Sequence, residues 1–268
     1  MRQPWFRIPG LLSLCVAAGA AWAAPATLLL FGEQHDQPDQ QRQVAEQVQA
    51  LAVRGELAAV VIEMAEQPHS SAGLPRDASA QQVRDALQWR GWPWERYEAV
   101  VMNAVRAGVP VMGANLPREQ MRTAMADTAL DALLDDAARA LLADAVRVGH
   151  CQLLPPAQEP GMVRIQIARD RSMAQVAAAA LRGAPPGSTV LLLAGAMHTS
   201  RDRGVPLHLE REMAPGVPAM HVVVFSAAGD GLVADERRPA RFTPQEDHCE
   251  GLRKRLAVPP ALAASAPG

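Results

Sequence analysis

Five short apolar runs constrain this chain more than any other feature. They cover residues 27–31, 58–62, 109–113, 189–193 and 220–225. Most are continuously apolar rather than alternating, which suits strands covered on both faces. Helical patterns separate them. Residues 38–53 carry Val44, Val48 and Leu51 on one side, and residues 94–107 carry Tyr97, Val100, Val101, Ala104 and Val105 on another. Gly55 and Gly108 stand where helices stop. Strands alternating with helices predict an α/β fold with an open, mostly parallel sheet of about five strands flanked by helices. Residues 114–188 show no strand signal. They contain helical patterns at 130–148 and 162–181, broken by Pro155-Pro156, and read as a helical insertion over about 117–183 between the third and fourth strands.

The polar residues at the ends of these runs have one thing in common. The first run leads to Gly32-Glu33-Gln34-His35, the second to Glu63, the third to Asn115 and the fourth to Gly195-Ala196-Met197-His198. Parallel strands bring their C-terminal ends to one edge, and ligands bind in the crevice outside that edge. The expected site is therefore Glu33, His35, Glu63 and His198. Glu63 follows a buried run directly, so its carboxylate needs a partner. Asn115 reads as a turn residue before Pro117. Arg169 and Asp170 are neighbours on a helix, about 100° apart, and spacing alone suggests a surface ion pair. His208 begins a later helix and can reach the same edge. Tyr97, the only tyrosine, has the spacing of a core residue.

The ends of the chain carry other signals. Arg2 and Arg7 precede and flank an apolar run at 8–16, and Ala21-Trp22-Ala23 offers a cleavage site, so residues 1–23 read as a secretory signal peptide. Leu12-Ser13-Leu14-Cys15 resembles a lipoprotein signal, which would place the protein on a membrane through Cys15. Leu14, however, stands where that signal takes a small residue. Cleavage after Ala23 leaves Cys151 and Cys249, an even count that permits a disulfide in an exported protein. The expectation is a single domain over 24–257, a periplasmic or exported location, and a disordered Ala/Pro-rich tail at 258–268. A net charge of −2 argues against a nucleic-acid partner.

Taken in order, the motifs Gly32-Glu33-Gln34-His35, Ile62-Glu63-Met64, Asn115-Leu116-Pro117, Arg169-Asp170-Arg171-Ser172-Met173-Ala174, Gly195-Ala196-Met197-His198 and Gly204-Val205-Pro206 resemble the ChaN-like haem-binding proteins, across residues 27–225. The resemblance implies an exported, often lipid-anchored protein of haem or iron uptake. Such a protein would bind haem, form a homodimer around it and meet an outer-membrane haem receptor. It adds Asn115, Arg169 and Asp170 to the cofactor set, with His198, His208 and Tyr97 as candidate axial ligands and Arg169 as partner of the propionates. Met197 stands where the family carries a glycine. The family is similar to a wider group containing Tiki-type metalloproteases and erythromycin esterases, which use these Glu/His positions for hydrolysis.

That kinship leaves a second function open. Glu33, His35, Glu63 and His198 form a set suited to a hydrolase. His35, His198 and Glu63 would hold zinc or manganese, or a His or Glu would act as general base without metal. No G-x-S-x-G turn or H-E-x-x-H helix is present.

Overall fold

The computed structural model describes residues 24–216, 219–226, 229–245 and 247–257. The predicted leader with Cys15 and the predicted tail lie outside the described residues. In chain order the elements are β1 (Thr27–Glu33), α1 (Pro38–Val53), β2 (Leu57–Glu66), α2 (Ala80–Ala86), α3 (Trp94–Ala107) and β3 (Val111–Asn115). Next come α4 (Met121–Ala126), α5 (Asp136–Gly149), α6 (Glu159–Gly183), β4 (Thr189–Gly195), α7 (Ala196–Thr199) and α8 (Val205–Met213). The chain closes with β5 (Met220–Val224), β6 (Glu236–Arg237) and α9 (His248–Ala257).

The sheet has six strands in the order β3-β2-β4-β1-β5-β6, and every pairing is parallel. The expectation of about five strands omits β6, which has two charged residues and no apolar signal. β2 also runs further than its apolar stretch. It continues to Glu66 through an irregular register against β3, so Glu63 lies inside the strand rather than after it.

Alternation along each strand sends side chains to two cores. Phe31, Val60, Ile62, Leu191 and Leu193 pack against α1, α2 and α3. Leu28, Leu30, Val61, Val190 and Leu192 pack against α6 and α8. Every one of these ten side chains is buried to within 1%, and each contributes roughly 1.5–3 kcal/mol relative to exposure. The helix α3 ends at Gly108 in the left-handed region, φ 78°, where a side chain would be strained.

The path of the chain puts a crevice at the centre of the sheet. After β1 the chain crosses to β2 by way of α1, on the first face. After β4 it crosses to β5 by way of α8, on the second. β1 and β4 are neighbours, so their outgoing connections part on opposite faces between them. This is a topological switch point, where open α/β sheets bind ligands.

The helix α6 explains the insertion's role. Its 25 residues span about 37 Å at 1.5 Å per residue, against about 23 Å for a seven-residue strand. Its C-terminal half covers the sheet, while its N-terminal half overshoots. There Val163, Ile167 and Ala168 form a third core with Ala124, Leu142 and Val146 of α4 and α5. A disulfide joins Cys151, just past α5, to Cys249 in α9, with Cα atoms 5.5 Å apart.

Candidate functional site

The strand ends bring together two buried carboxylates, one from each side of the sheet. Glu33, at the end of β1, is 2% exposed. It accepts hydrogen bonds from the Tyr97 hydroxyl at 2.7 Å and from Gln41 Nε2. His35 Nδ1 lies 2.8 Å from the same carboxylate. Because a carboxylate accepts only, that nitrogen carries the proton and Nε2 is turned away from Glu33. Arg96 donates to the His35 carbonyl at 2.8 Å, and the Trp92 ring packs 4.5 Å from the imidazole.

Glu63 is 1% exposed and faces the other way. It forms an ion pair with Arg169 and accepts the Gly195 N–H at 2.7 Å. Arg169 also donates to Asn115 Oδ1 at 3.0 Å and to Gln166 Oε1 at 3.3 Å. His198 Nδ1 sits 2.6 Å from Asp170 Oδ1. Each imidazole thus has a carboxylate behind it and its Nε2 toward Glu63, at 3.8 Å for His35 and 3.6 Å for His198. Both distances exceed a hydrogen bond.

Close backbone approaches make this possible. A Cβ on Gly195 would stand 2.9 Å from His35 Nε2. A Cβ on Gly32 would overlap Thr199 Oγ1 and come 2.9 Å from the Ala196 Cα. Both glycines are needed for the loops to pass.

Charge follows this geometry. Burial opposes ionisation of Glu63, but the charges of His198, Arg169 and His35 and the Gly195 N–H outweigh it and hold its carboxyl at about 2. Burial likewise pulls the His35 pKa down, yet its hydrogen bond to Glu33 and the charges of Glu63 and Glu33 prevail and raise it. Tyr97 is pushed far up by burial and by Glu33, so it remains a neutral phenol.

The cleft outside these groups measures about 470 Å³, within the usual range for small-molecule sites. His35, Gly195, Met197 and His198 line its strand-end side. Leu142, Val146 and His150 of the α5 segment line the opposite wall, with Phe225 and Leu232 adding apolar surface.

All the predicted strand-end residues meet, and four expectations need correcting. The surface ion pair between Arg169 and Asp170 does not exist: the first reaches Glu63 and the second reaches His198, because α6 runs between them. Tyr97 reaches the site only from behind. It is 1% exposed, does not line the cleft, and its hydroxyl is committed to Glu33, so it is not placed as an axial ligand. His208 is 2% exposed on α8, does not line the cleft, and is pushed toward its neutral form by burial. Arg169, expected on a propionate, spends its guanidinium on Glu63, Asn115 and Gln166.

The predicted metal ligands His35, His198 and Glu63 also converge. Arg169 is already the cationic partner of Glu63, and among the described residues no group of three or more His, Cys, Asp or Glu side chains is placed to hold an ion. Gln41, Gln166 and His150 were not foreseen. The signal available for Gln41 was in α1, whose apolar stripe Val44-Val48-Leu51 continues toward the strand ends as Gln41.

The family model for haem-binding uptake, Tiki superfamily, ChaN matches residues 20–209. The chain belongs to this family. Among solved structures it is similar to one described as "Cofacial heme binding to ChaN of Campylobacter jejuni", at 25% identity and a TM-score of 0.60, covering 75% of this chain and 82% of the other. It also matches the type III effector HopBA1 at 15% identity and a TM-score of 0.40, covering 76% and 79%. No curated protein matches the chain.

Proposed function

We propose that this protein binds haem in the cleft between the strand ends and α5, as an exported component of haem or iron uptake. The observation that carries the reading is the cleft at the β1/β4 switch point in a chain of the ChaN family. Its lining fits the cofactor. Leu142, Val146, Met197, Phe225 and Leu232 offer apolar surface to a macrocycle, and the His35 and His198 imidazoles form a polar floor. Bound haem would bring redox-active iron; the chain's part is to enclose it and order its polar groups. Export is supported by the leader-like residues 1–23 and by the Cys151–Cys249 disulfide, which suits an oxidising compartment. A homodimer around haem and delivery through an outer-membrane receptor belong to the same proposal.

Haemin titration of the purified protein tests it. A saturable shift of the Soret band is the expected result, and its absence at micromolar haemin sinks the haem reading.

A second reading rests on a different observation, the pair of carboxylate-backed imidazoles around Glu63. Backed in this way, either Nε2 can serve as a general base toward water, and Arg169 with the Gly195 N–H keeps Glu63 ionised. Glu33 and Asp170 would orient the two bases. Ester and peptide hydrolysis, with and without added zinc or manganese, tests this reading. Turnover lost in both His35→Ala and His198→Ala would support it, and no turnover under any of these conditions would reject it.

A further inference from the structure

We propose that His150 supplies the axial imidazole to haem iron in this cleft, an inference that rests on the haem reading above. Among the described residues, four side chains lining the cleft carry an atom able to bind haem iron: His35, His150, Met197 and His198. His35 and His198 point Nε2 at Glu63, into an arrangement already balanced by Arg169. Met197 offers a soft thioether, whereas imidazole suits iron.

His150 differs from all three. Its Nδ1 is 2.7 Å from the Val146 carbonyl oxygen. A carbonyl only accepts, so Nδ1 is the nitrogen that carries a proton, and Nε2 is the one left to offer a lone pair to a metal. Metal-binding histidines are oriented in this manner, with the second nitrogen tied to a carbonyl or carboxylate. No hydrogen-bond partner of Nε2 is found among the described residues.

The backbone around His150 is held on both sides. Cys151 and Gln152 take left-handed φ values of 58° and 59°, which end α5 sharply. The Cys151 and Gln152 N–H groups close this turn onto Val148 and Arg147, and the disulfide ties Cys151 to α9. Leu142, Val146 and His150 follow one another at four-residue spacing and therefore share one face. The imidazole sits at the end of an apolar stripe on which a macrocycle can lie.

Visible and electron paramagnetic resonance spectra of haemin complexes test the assignment in the wild-type chain, His150→Ala, His150→Tyr and His221→Ala, the last an exposed histidine away from the cleft. The wild type and His221→Ala should show imidazole-ligated haem. His150→Ala should lose that signature and bind haemin about 10–100-fold more weakly, the scale of losing even a ligand's supporting partner. Added free imidazole should restore the spectrum. His150→Tyr should convert it to a phenolate-ligated form, a readout that persists if the alanine variant folds poorly. Wild-type spectra retained in both His150 variants would overturn the assignment while haem binding stands. A wild-type chain that binds no haemin would overturn both.

Discussion

Glu33 and Glu63 are buried to the same degree, in the same cluster, yet the two faces of the sheet satisfy them by different chemistry. On the α1/α3 face, neutral donors from Gln41 and Tyr97 and the imidazole of His35 surround Glu33. On the α6 face, Glu63 meets the full charge of Arg169, with the imidazoles of His198 and of the same His35 nearby. The first face is an aromatic core in which Trp89, Trp92, Trp94 and Tyr97 pack together, and a bare cation there would have to be desolvated. The second is bordered by the insertion, whose overshooting helix brings a guanidinium to the strand ends. A buried carboxylate can thus be held chiefly by neutral donors and an imidazole or by a guanidinium charge, and the helix that reaches it decides which.

The strongest way to break this contrast is Arg169→Ala. It strands an uncompensated buried charge, so the expected loss is about 3–5 kcal/mol of unfolding free energy, measured by urea denaturation. A double variant with Glu63→Gln should recover much of that loss. Full additivity of the two would show that the pair is not coupled.

Tyr97→Phe makes the corresponding cut on the other face. It removes one hydrogen bond to a charged acceptor, with an expected cost of about 1.5–3 kcal/mol. A cost equal to that of Arg169→Ala would erase the distinction between neutral and charged support.

Gly195→Ala strikes where the two faces meet. The added Cβ would lie 2.9 Å from His35 Nε2, and crowding of this kind costs about 1–3 kcal/mol. Its stability effect should come with a displaced His35 resonance in histidine NMR spectra; an unmoved resonance would mean that the imidazole is not held over this glycine.

The dependence on pH tests the same contrast without a mutation. Glu63 has its folded pKa depressed from 4.5 to about 2. Its contribution is present above the unfolded value and is lost as pH falls toward 2. His35 has a raised folded pKa, so its contribution is complete below the unfolded value near 6.5 and is lost as pH rises through the raised one. Stability from this cluster should be greatest between these limits. Glu63→Gln should flatten the acid limb and spare the Glu33 side, and an acid limb unchanged in that variant would assign it to other carboxylates.

Much of this was legible in the sequence because it depends on local pattern. Apolar runs too short for helices, stripes at helical spacing, and glycines at 55 and 108 determined α1 and α3 with the bounds observed and the five main strands to within two to four residues. Parallel connectivity then required Glu33, His35, Glu63, Asn115 and His198 to share an edge, whatever the strand order. Only the tertiary structure decided what each of them touches. Arg169 and Asp170 look like a surface pair when read along one helix, and become partners of Glu63 and His198 once α6 lies across the sheet. Tyr97 and His208 stand beside His198 as candidate ligands until packing leaves the first two out of the cleft lining. His150 beside Cys151 hints at a metal in sequence but has no second pair at zinc-type spacing, and its place in the cleft depends on how far α5 stands from the strand ends. Periodicity records which face of an element is apolar; the distance between elements comes from packing, and contact chemistry depends on that distance.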